Sequence, residues 1–284
     1  MKRDVSPSSE IFGVPGYYRP RQTPAVWQIE PPDWRSRLRD ALIKGLSSQR
    51  PAVFFRADDI GAGGQAFDAL CRLFREHQVP LGLAVVPAWL SSARKEQLLA
   101  SAPIHESLWG WHQHGWRHVN WQRTGKKSEF GEQRPLEKQW RDILNGQQKM
   151  QGIFGEHLIP VFTPPWNRLS LQTLKILQQL GFKAVSLDGP LPRGAKGPAP
   201  LKNLRVSLDL HTRKSKDPSE DFENLLLELP GALSKREPVG VMLHHHRMTL
   251  FAFQFLHELL SLLKNDLHAE CLNFRDLLDA DDAQ

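Results

Sequence analysis

The sequence predicts a single α/β domain built as a β/α barrel, and three observations carry that expectation. Short apolar runs alternate with stretches whose apolar residues recur at helical spacing, the pattern of βα units around a parallel sheet. A chain of 284 residues is long enough to bury the core of one large α/β domain. Finally, Asp58/Asp59, His112/His114, Thr163 to Asn167, Asp209/His211 and His244 to His246 each follow directly on an apolar run. In a barrel those C-terminal strand ends converge on one face, where such enzymes keep their chemistry. An open doubly wound sheet would gather ligands at one crevice instead.

The elements follow in order. Residues 1–47 read as a Pro-rich lead-in and a helix, roughly Pro32 to Leu46, packing on a barrel that spans 48–284. "PAVFFRADD" is a buried strand ending in two carboxylates. "GGQAFDALCRLFREHQ" carries Phe67, Leu70, Cys71 and Phe74 at helical spacing. "PLGLAVVP" is a strand, "SSARKEQLLASA" a helix, and "PIHESLWGWHQH" a third strand. "RPLEKQWRDILNGQQKMQGIFG" is a long helix with Pro135 in its first turn. "HLIPVFTPPW" is the fourth strand, and the next helix runs from an N-cap at Ser170 to a stop at Gly181. "FKAVSLD", "NLRVSLDLH" and "PVGVMLHHH" are the remaining strands. "DPSEDFENLLLELPGALSK" and "TLFAFQFLHELLSLLKN" are the helices around the last of them.

Composition narrows the function classes. The net charge of +6 comes from scattered Lys and Arg without a helix-turn-helix or RNA-binding signature. It therefore fits a solvated face or an acidic or lipid-linked substrate better than nucleic acid. The N-terminus has no apolar core of a secretory signal, and nowhere do eighteen apolar residues run together, so the expected location is cytoplasmic, with no transmembrane segment. Cys71 and Cys271 form no disulfide framework or zinc-ribbon spacing and read as small buried hydrophobes.

The chemistry concentrates in "WGWHQHGWRHVNW", which packs three histidines and four tryptophans into thirteen positions. His114 and His118 are four apart, which on a helical turn puts two imidazoles on one face. Adjacent carboxylates at a strand end point to different sides, so one can enter a metal shell while the other stays free as a base. Two imidazoles and one carboxylate leave positions open for water and substrate, the mark of a catalytic rather than structural site. A histidine closing the strand "GVMLHHH" titrates near neutrality and suits protonation of a leaving group. The prolines of "FTPPWN" stiffen a turn in which the Trp166 N–H could face a developing oxyanion.

Together these motifs resemble the polysaccharide deacetylase family, over roughly Phe54 to Met248: Asp-Asp-x-Gly, HxxxH, a Pro-Pro-aromatic turn and a late Leu-His strand end. The resemblance implies a distorted (β/α)7 barrel that removes acetyl groups from N-acetylated sugars or glycan precursors by hydrolysis. It implies that Asp59, His114 and His118 hold a divalent metal, foremost Zn2+, although Co2+, Ni2+ or Mn2+ suit the same donors. Asp58 would be the general base and His244 the general acid. The chain also departs from the family pattern. Arg56 and Ala57 replace the usual Thr-Phe, Thr163 stands where the family has a base-positioning Arg, and Asn167 stands in place of a Gly. Arg56, Arg168 or Arg247 is left to supply the missing guanidinium.

Tryptophan offers sugar rings a large apolar face with one polar handle. Trp109, Trp111, Trp116, Trp121 and Trp166 are thus expected around the metal, although Trp109 and Trp111 share a parity that also fits the core. The substrate contacts expected are Arg56, His112, Trp111, Trp116, Asn167, Asp209, His211, His245 and Arg247, with Asp209 and His211 alternatively supporting the acid. Two rival readings remain: a catalytically inactive glycan-binding barrel, and an Fe(II) oxygenase using the same two-histidine, one-carboxylate set.

Overall fold

The computed structural model describes residues 20, 22–46, 50–195, 201–235 and 237–280, so most of the expected lead-in lies outside the described residues. All strand pairs are parallel, in the order β6-β5-β4-β3-β2-β1-β8-β7. These strands are β1 (Ala52–Ile60), β2 (Leu81–Val85), β3 (Trp109–His114), β4 (Val161–Thr163), β5 (Ala184–Val185), β6 (Lys202–Asn203), β7 (Val206–Asp209) and β8 (Val239–Leu243). The ring closes through one stretch of chain. β6 pairs with β5, the Leu204 and Val206 N–H groups donate to the Val185 and Leu187 carbonyls at 2.8 Å, and β7 then pairs with β8. Residues 202–209 thus form a single broken stave, giving seven staves in all: the distorted (β/α)7 barrel.

The helices are α1 (Trp34–Lys44), α2 (Gln65–His77), α3 (Ser92–Ser101), α4 (Leu136–Phe154), α5 (Leu171–Gln179), α6 (Pro218–Leu233) and α7 (Leu250–Ser261). Caps fall where side-chain chemistry places them: Ser91, Ser170, Asp217 and Thr249 accept from first-turn N–H groups of α3, α5, α6 and α7. Gly181, at φ +81°, follows α5 as expected. Pro135 is the N-cap of α4 rather than a first-turn residue. The strands are shorter than their apolar runs suggest: β3 begins only at Trp109, and β5 has two residues. The sequence reading did not single out β9 (Glu270–Leu272), which pairs with β1, or α8 (Phe274–Asp279).

Alternation along each strand decides what faces the barrel axis. In β1, Val53, Phe55 and Ala57 pack outward in the large core under the helices, while Phe54 joins Val161, Ala184, Met242 and Phe274 in a separate inner cluster. Phe274 of α8 closes the floor, its ring 5.5 Å from that of Phe54. Above this floor the same parity turns polar: Arg56 and Asp58 on β1, His112 and His114 on β3, and His244 beyond β8. All five are buried. An apolar plug at the N-terminal strand ends and a polar layer at the C-terminal ends make the mouth the chemical face.

The N-terminal segment is part of this body. Trp27 and Trp34 are buried against Phe251 and Phe255 of α7, and the Trp27 indole N–H donates to the Leu210 carbonyl at 2.5 Å. Cys71 is buried, but Cys271 is only partly so, on the short β9. No helix among the described residues is long and apolar enough to cross a membrane.

Candidate active site

Asp59 is the centre of the mouth. The β1 ladder is irregular between Ala57 and Ile60, and Asp59 takes φ +61°. This turn rotates its carboxylate away from that of Asp58, separating two adjacent acids into two environments. His114 Nε2 lies 3.3 Å and His118 Nε2 3.1 Å from Asp59 Oδ1. One donor atom from each of the three residues falls within 4.8 Å of the others.

The His114 Nδ1–H donates to the Thr163 carbonyl at 2.9 Å. In a neutral ring its Nε2 lone pair therefore points at the carboxylate. Asp59 Oδ1 is buried and makes no hydrogen bond. A carboxylate oxygen facing imidazole lone pairs needs a positive charge between them, and a divalent ion at their common point fits. The local electrostatics keep Asp59 anionic. Burial pushes the Asp59 carboxyl up, but His114, then His118 and His244, hold it well below the usual carboxylate range. Burial likewise works against a charged His114, yet Asp59 and Asp58 outweigh it and raise its pKa. His118 goes the other way, lowered to about 4 by burial and by His114.

The four-residue spacing of these histidines is not helical. Gly115 at φ +57° and His118 at φ +58° bend the chain into a loop, which brings the two ring centroids to 5.2 Å. A residue not anticipated from the sequence builds this loop. Glu129 is fully buried and accepts from the Trp116, Arg117 and His118 N–H groups at 3.2, 2.8 and 3.2 Å. A Cβ on Gly115 would collide with the Glu129 carboxylate and with Pro165, so the loop needs glycine there for space as well as for φ. Glu129 left no sequence signal, because an acid in a loop reads as solvated until the loop folds over it.

Asp58 is held from below. Arg56, with no solvent exposure, donates Nε–H to Asp58 Oδ1 at 2.7 Å and Nη2–H to Oδ2 at 2.8 Å. The same guanidinium donates to the Ser186 carbonyl and hydroxyl and to Asn167 Oδ1. Burial pushes the Asp58 carboxyl up, but Arg56 and the neighbouring His114 and His244 bring it net below its ordinary value. Arg56 thus supplies the guanidinium missing at Thr163. Being buried, it is not a substrate contact. Arg168 instead donates to the Lys127 carbonyl, and Arg247 reaches toward Gln22.

Other expected contacts are also reassigned. His112 is buried between the Gly110 carbonyl and the Thr163 hydroxyl, with its ring 4.7 Å from that of Phe274. Burial lowers its pKa to about 3, and it supports the floor rather than touching ligand. Trp111 points outward and stacks on Phe154 with centroids 4.6 Å apart. Trp109 is buried on the same side, its indole N–H donating to Glu106 at 2.9 Å. Trp116 packs against the core cluster around Phe130 and Phe162. Trp121 is exposed beneath Arg134. Asn167, at φ +55°, uses its side chain on Arg56, and Asn tolerates the backbone conformation that the family fills with Gly. Asp209 accepts from the His211 and Thr212 N–H groups, closing the turn after β7.

Trp166 and the late histidines do reach the mouth. Trp166 sits at φ +57° with its ring 4.4 Å from that of His118, and its N–H has no acceptor among the described residues. Asp59, His118, Trp166 and Asn167 are four of the eight non-glycine residues with positive φ among those described. Such a concentration of left-handed backbone is typical of functional sites. His244 Nε2 lies 3.9 Å from Asp59 Oδ2, and its backbone N–H donates to His211 Nδ1 at 3.1 Å. Buried His211 is therefore a support for His244, not a substrate contact. Burial favours a neutral His244, opposed by Asp58, Asp59 and Asp209. His246, which the sequence reading left unassigned, also comes within 3.9 Å of Asp59 Oδ2. Beside these residues opens a pocket of about 680 Å³ lined by Asp59, the 61–67 segment, Trp89, Arg94, His245 and His246. Trp89, near His118 at 5.8 Å between centroids, is the tryptophan that sequence reasoning missed.

Residues 47–185 match the family model for polysaccharide deacetylase. A search of curated proteins returns no match. Among solved structures, a protein assigned as a polysaccharide deacetylase from Mycobacterium smegmatis aligns with a TM-score of 0.58 at 14% identity, over 84% of this chain and 93% of that one. A CE4 family pseudoenzyme from Bacillus anthracis aligns with a TM-score of 0.50 at 11% identity, over 81% and 66%. A mutant of that pseudoenzyme with restored enzymatic activity aligns equally well, over 81% and 68%. The matched segment contains β1 with its two aspartates, the histidine loop and the Pro-Pro turn, and it is this segment that the chain shares with the polysaccharide deacetylase family.

Proposed function

We propose that this protein is a metal-dependent hydrolase that removes acetyl groups from N-acetylated sugars or glycan precursors. One observation carries the reading: the unpartnered Asp59 Oδ1 faces His114 and His118, while the adjacent Asp58 is clamped separately by Arg56. The two carboxylates thus hold different roles. Asp59, His114 and His118 would hold a divalent ion, with Zn2+ the first choice for this donor set. Such an ion supplies Lewis acidity and lowers the pKa of water from about 15.7 toward 7.

The remaining work falls to the protein's own groups. Asp58, kept anionic and oriented by Arg56, accepts the proton of the attacking water. The Trp166 N–H, fixed by the Pro164–Pro165 turn and without an acceptor among the described residues, donates to the oxyanion that develops from the acetyl carbonyl. His244 has its backbone anchored on His211, and burial holds its pKa net below the ordinary imidazole value, against the pull of Asp58, Asp59 and Asp209. As general acid it therefore gives up its proton readily to the departing amine, otherwise a very poor leaving group. The ring of Trp166 and the face of Trp89 offer apolar surface to a sugar.

The test is acetate release from a panel of N-acetylated oligosaccharides and sugar precursors by the metal-loaded protein. Asp58→Asn should abolish release while bound metal, counted by elemental analysis, is retained. Asp59→Ala should lose both. Retained release in Asp58→Asn overturns the assignment of the base. No release by wild type from any acetylated glycan favours a glycan-binding barrel.

A further inference from the structure

The loop that carries His118 also carries charge that the deacetylation chemistry does not use. Between Trp116 and Ser128 the chain holds Arg117, Arg123, Lys126 and Lys127 and no acid. All four are exposed, and none of their side chains makes a hydrogen bond or ion pair among the described residues. Glu129, the first acid beyond them, is buried and spends its oxygens on backbone N–H groups. Uncompensated cations gathered on one loop set up a positive potential that an anionic partner would neutralise.

The loop is fixed along the mouth at both ends. Where it leaves β3, the Trp89 indole N–H donates to the Arg117 carbonyl at 3.2 Å, and Trp89 lines the pocket beside Asp59. Where it returns, the Ser128 hydroxyl donates to the Arg168 carbonyl at 3.1 Å, and Arg168 donates to the Lys127 carbonyl at 3.0 Å, two residues beyond Trp166. In between, Asn120 accepts from the Gln122 and Ser128 N–H groups. The four cations are thus carried on a braced rim that runs from the Trp89 side of the mouth to the Trp166 side.

The same rim holds an aromatic platform. Trp121, three residues after His118, is 45% exposed, and the Arg134 guanidinium stands 4.9 Å from its ring centroid. Arg134 is itself buried, held by the Asp142 carboxylate and the Glu129 carbonyl. A cation–π contact to an anchored guanidinium fixes the indole. Its exposed surface suits the apolar C–H face of a sugar ring, and the cations beside it suit carboxylate or phosphate groups on neighbouring rings. A lipid surface fits less well, because an indole pinned against Arg134 is not free to insert among acyl chains.

We propose that the substrate is an anionic glycan chain, whose acidic sugars lie along the 117–127 loop with one ring on Trp121 while the acetylated sugar occupies the mouth. The proposal rests on the deacetylase reading for the acetylated sugar, whereas the preference for negative charge is decided by binding alone.

The experiment titrates two probes into the metal-loaded full chain by calorimetry: a hexasaccharide of alternating glucuronate and N-acetylglucosamine, and the neutral N-acetylglucosamine hexamer. Wild type should bind the anionic probe about tenfold more tightly, with the difference shrinking as salt is added. Lys126→Gln/Lys127→Gln should weaken the anionic probe about fivefold, as two exposed ion pairs would, and leave the neutral probe unchanged. Lys183→Gln/Lys235→Gln removes equal charge from exposed positions before β5 and β8, at the opposite end of the barrel, and should alter neither. Trp121→Ala should weaken both probes alike. Equal affinity for the two probes, no binding of the anionic one, an equal effect of the two double variants, or full affinity in Trp121→Ala overturns the proposal. So does capture by phosphatidylglycerol vesicles through Lys126 and Lys127 with the oligosaccharides ignored. Acetate release is scored on the same proteins. Release without the charge preference leaves the deacetylase and removes the anionic substrate; the charge preference without release does the reverse.

Discussion

Replacing Arg56 with Met gives the sharpest test of how this site is built. Arg56 and Asp58 form a bidentate pair at 2.7 and 2.8 Å, with side-chain exposures of 0% and 4%. Removing the guanidinium strands a buried carboxylate in a layer whose other members are His112, His114 and His244, and also frees Ser186 and Asn167. Breaking one side of a buried ion pair costs about 3–5 kcal/mol, which at roughly 2–4 °C per kcal/mol for a large domain lowers Tm by about 6–20 °C. Asp58→Asn should cost less, because Arg56 keeps acceptors at the Ser186 carbonyl, the Ser186 hydroxyl and Asn167. The double variant Arg56→Met/Asp58→Asn removes both charges and should cost clearly less than the two single losses added together. Urea unfolding followed by tryptophan fluorescence, on all four proteins at pH 7, measures the cycle. Additive costs, or a loss below about 1 kcal/mol in Arg56→Met, would refute the claim that this pair anchors the base.

Three further outcomes follow from the same geometry. His211, buried and next to His244, has its pKa well below 6.5, so the folded protein keeps it neutral while the unfolded chain protonates. Its share of stability is intact above the unfolded pKa and is lost as pH falls below it, at up to about 1.4 kcal/mol per pH unit. His211→Gln should flatten the dependence between pH 7 and 5, and an unchanged slope would count against it. Glu129→Gln should weaken divalent-metal affinity about 10–100-fold by loosening the His118 loop, read by competition with a metal-sensitive dye; unaltered affinity would mean the loop holds itself. Trp111→Ala should destabilise by about 3–5 kcal/mol with KM for an acetylated substrate unchanged, whereas a raised KM at full stability would return Trp111 to the site.

Legibility in the sequence tracked how local each interaction is. Strand and helix periodicity, the cap at Ser170, and the placement of five polar clusters at the C-terminal ends of strands are properties of a few consecutive residues, so they can be read directly. Asp59, His114 and His118 were recoverable as neighbours because they are residue types that can share a metal ion, at spacings that a strand end and a short loop can bring together. The parity of Trp109 and Trp111 already allowed the outward direction they take. By contrast, Arg56 could be listed as a candidate for the missing guanidinium but not chosen, since Ser186 and Asn167, its other partners, come from distant staves.

The sequence by itself therefore determined the class of fold and pointed to the cluster of Asp59, His114 and His118, whose donor atoms could hold a metal ion. Tertiary structure alone decided which of the candidate residues are buried supports and which reach the mouth. His112 and His114 differ by two positions and point the same way, yet one lies beneath the other, against the floor residue Phe274. Glu129 became an anchor only because the loop it holds wraps around it. Depth along the barrel axis, which depends on all seven staves at once, sets solvent access and hence role, and no local pattern encodes it.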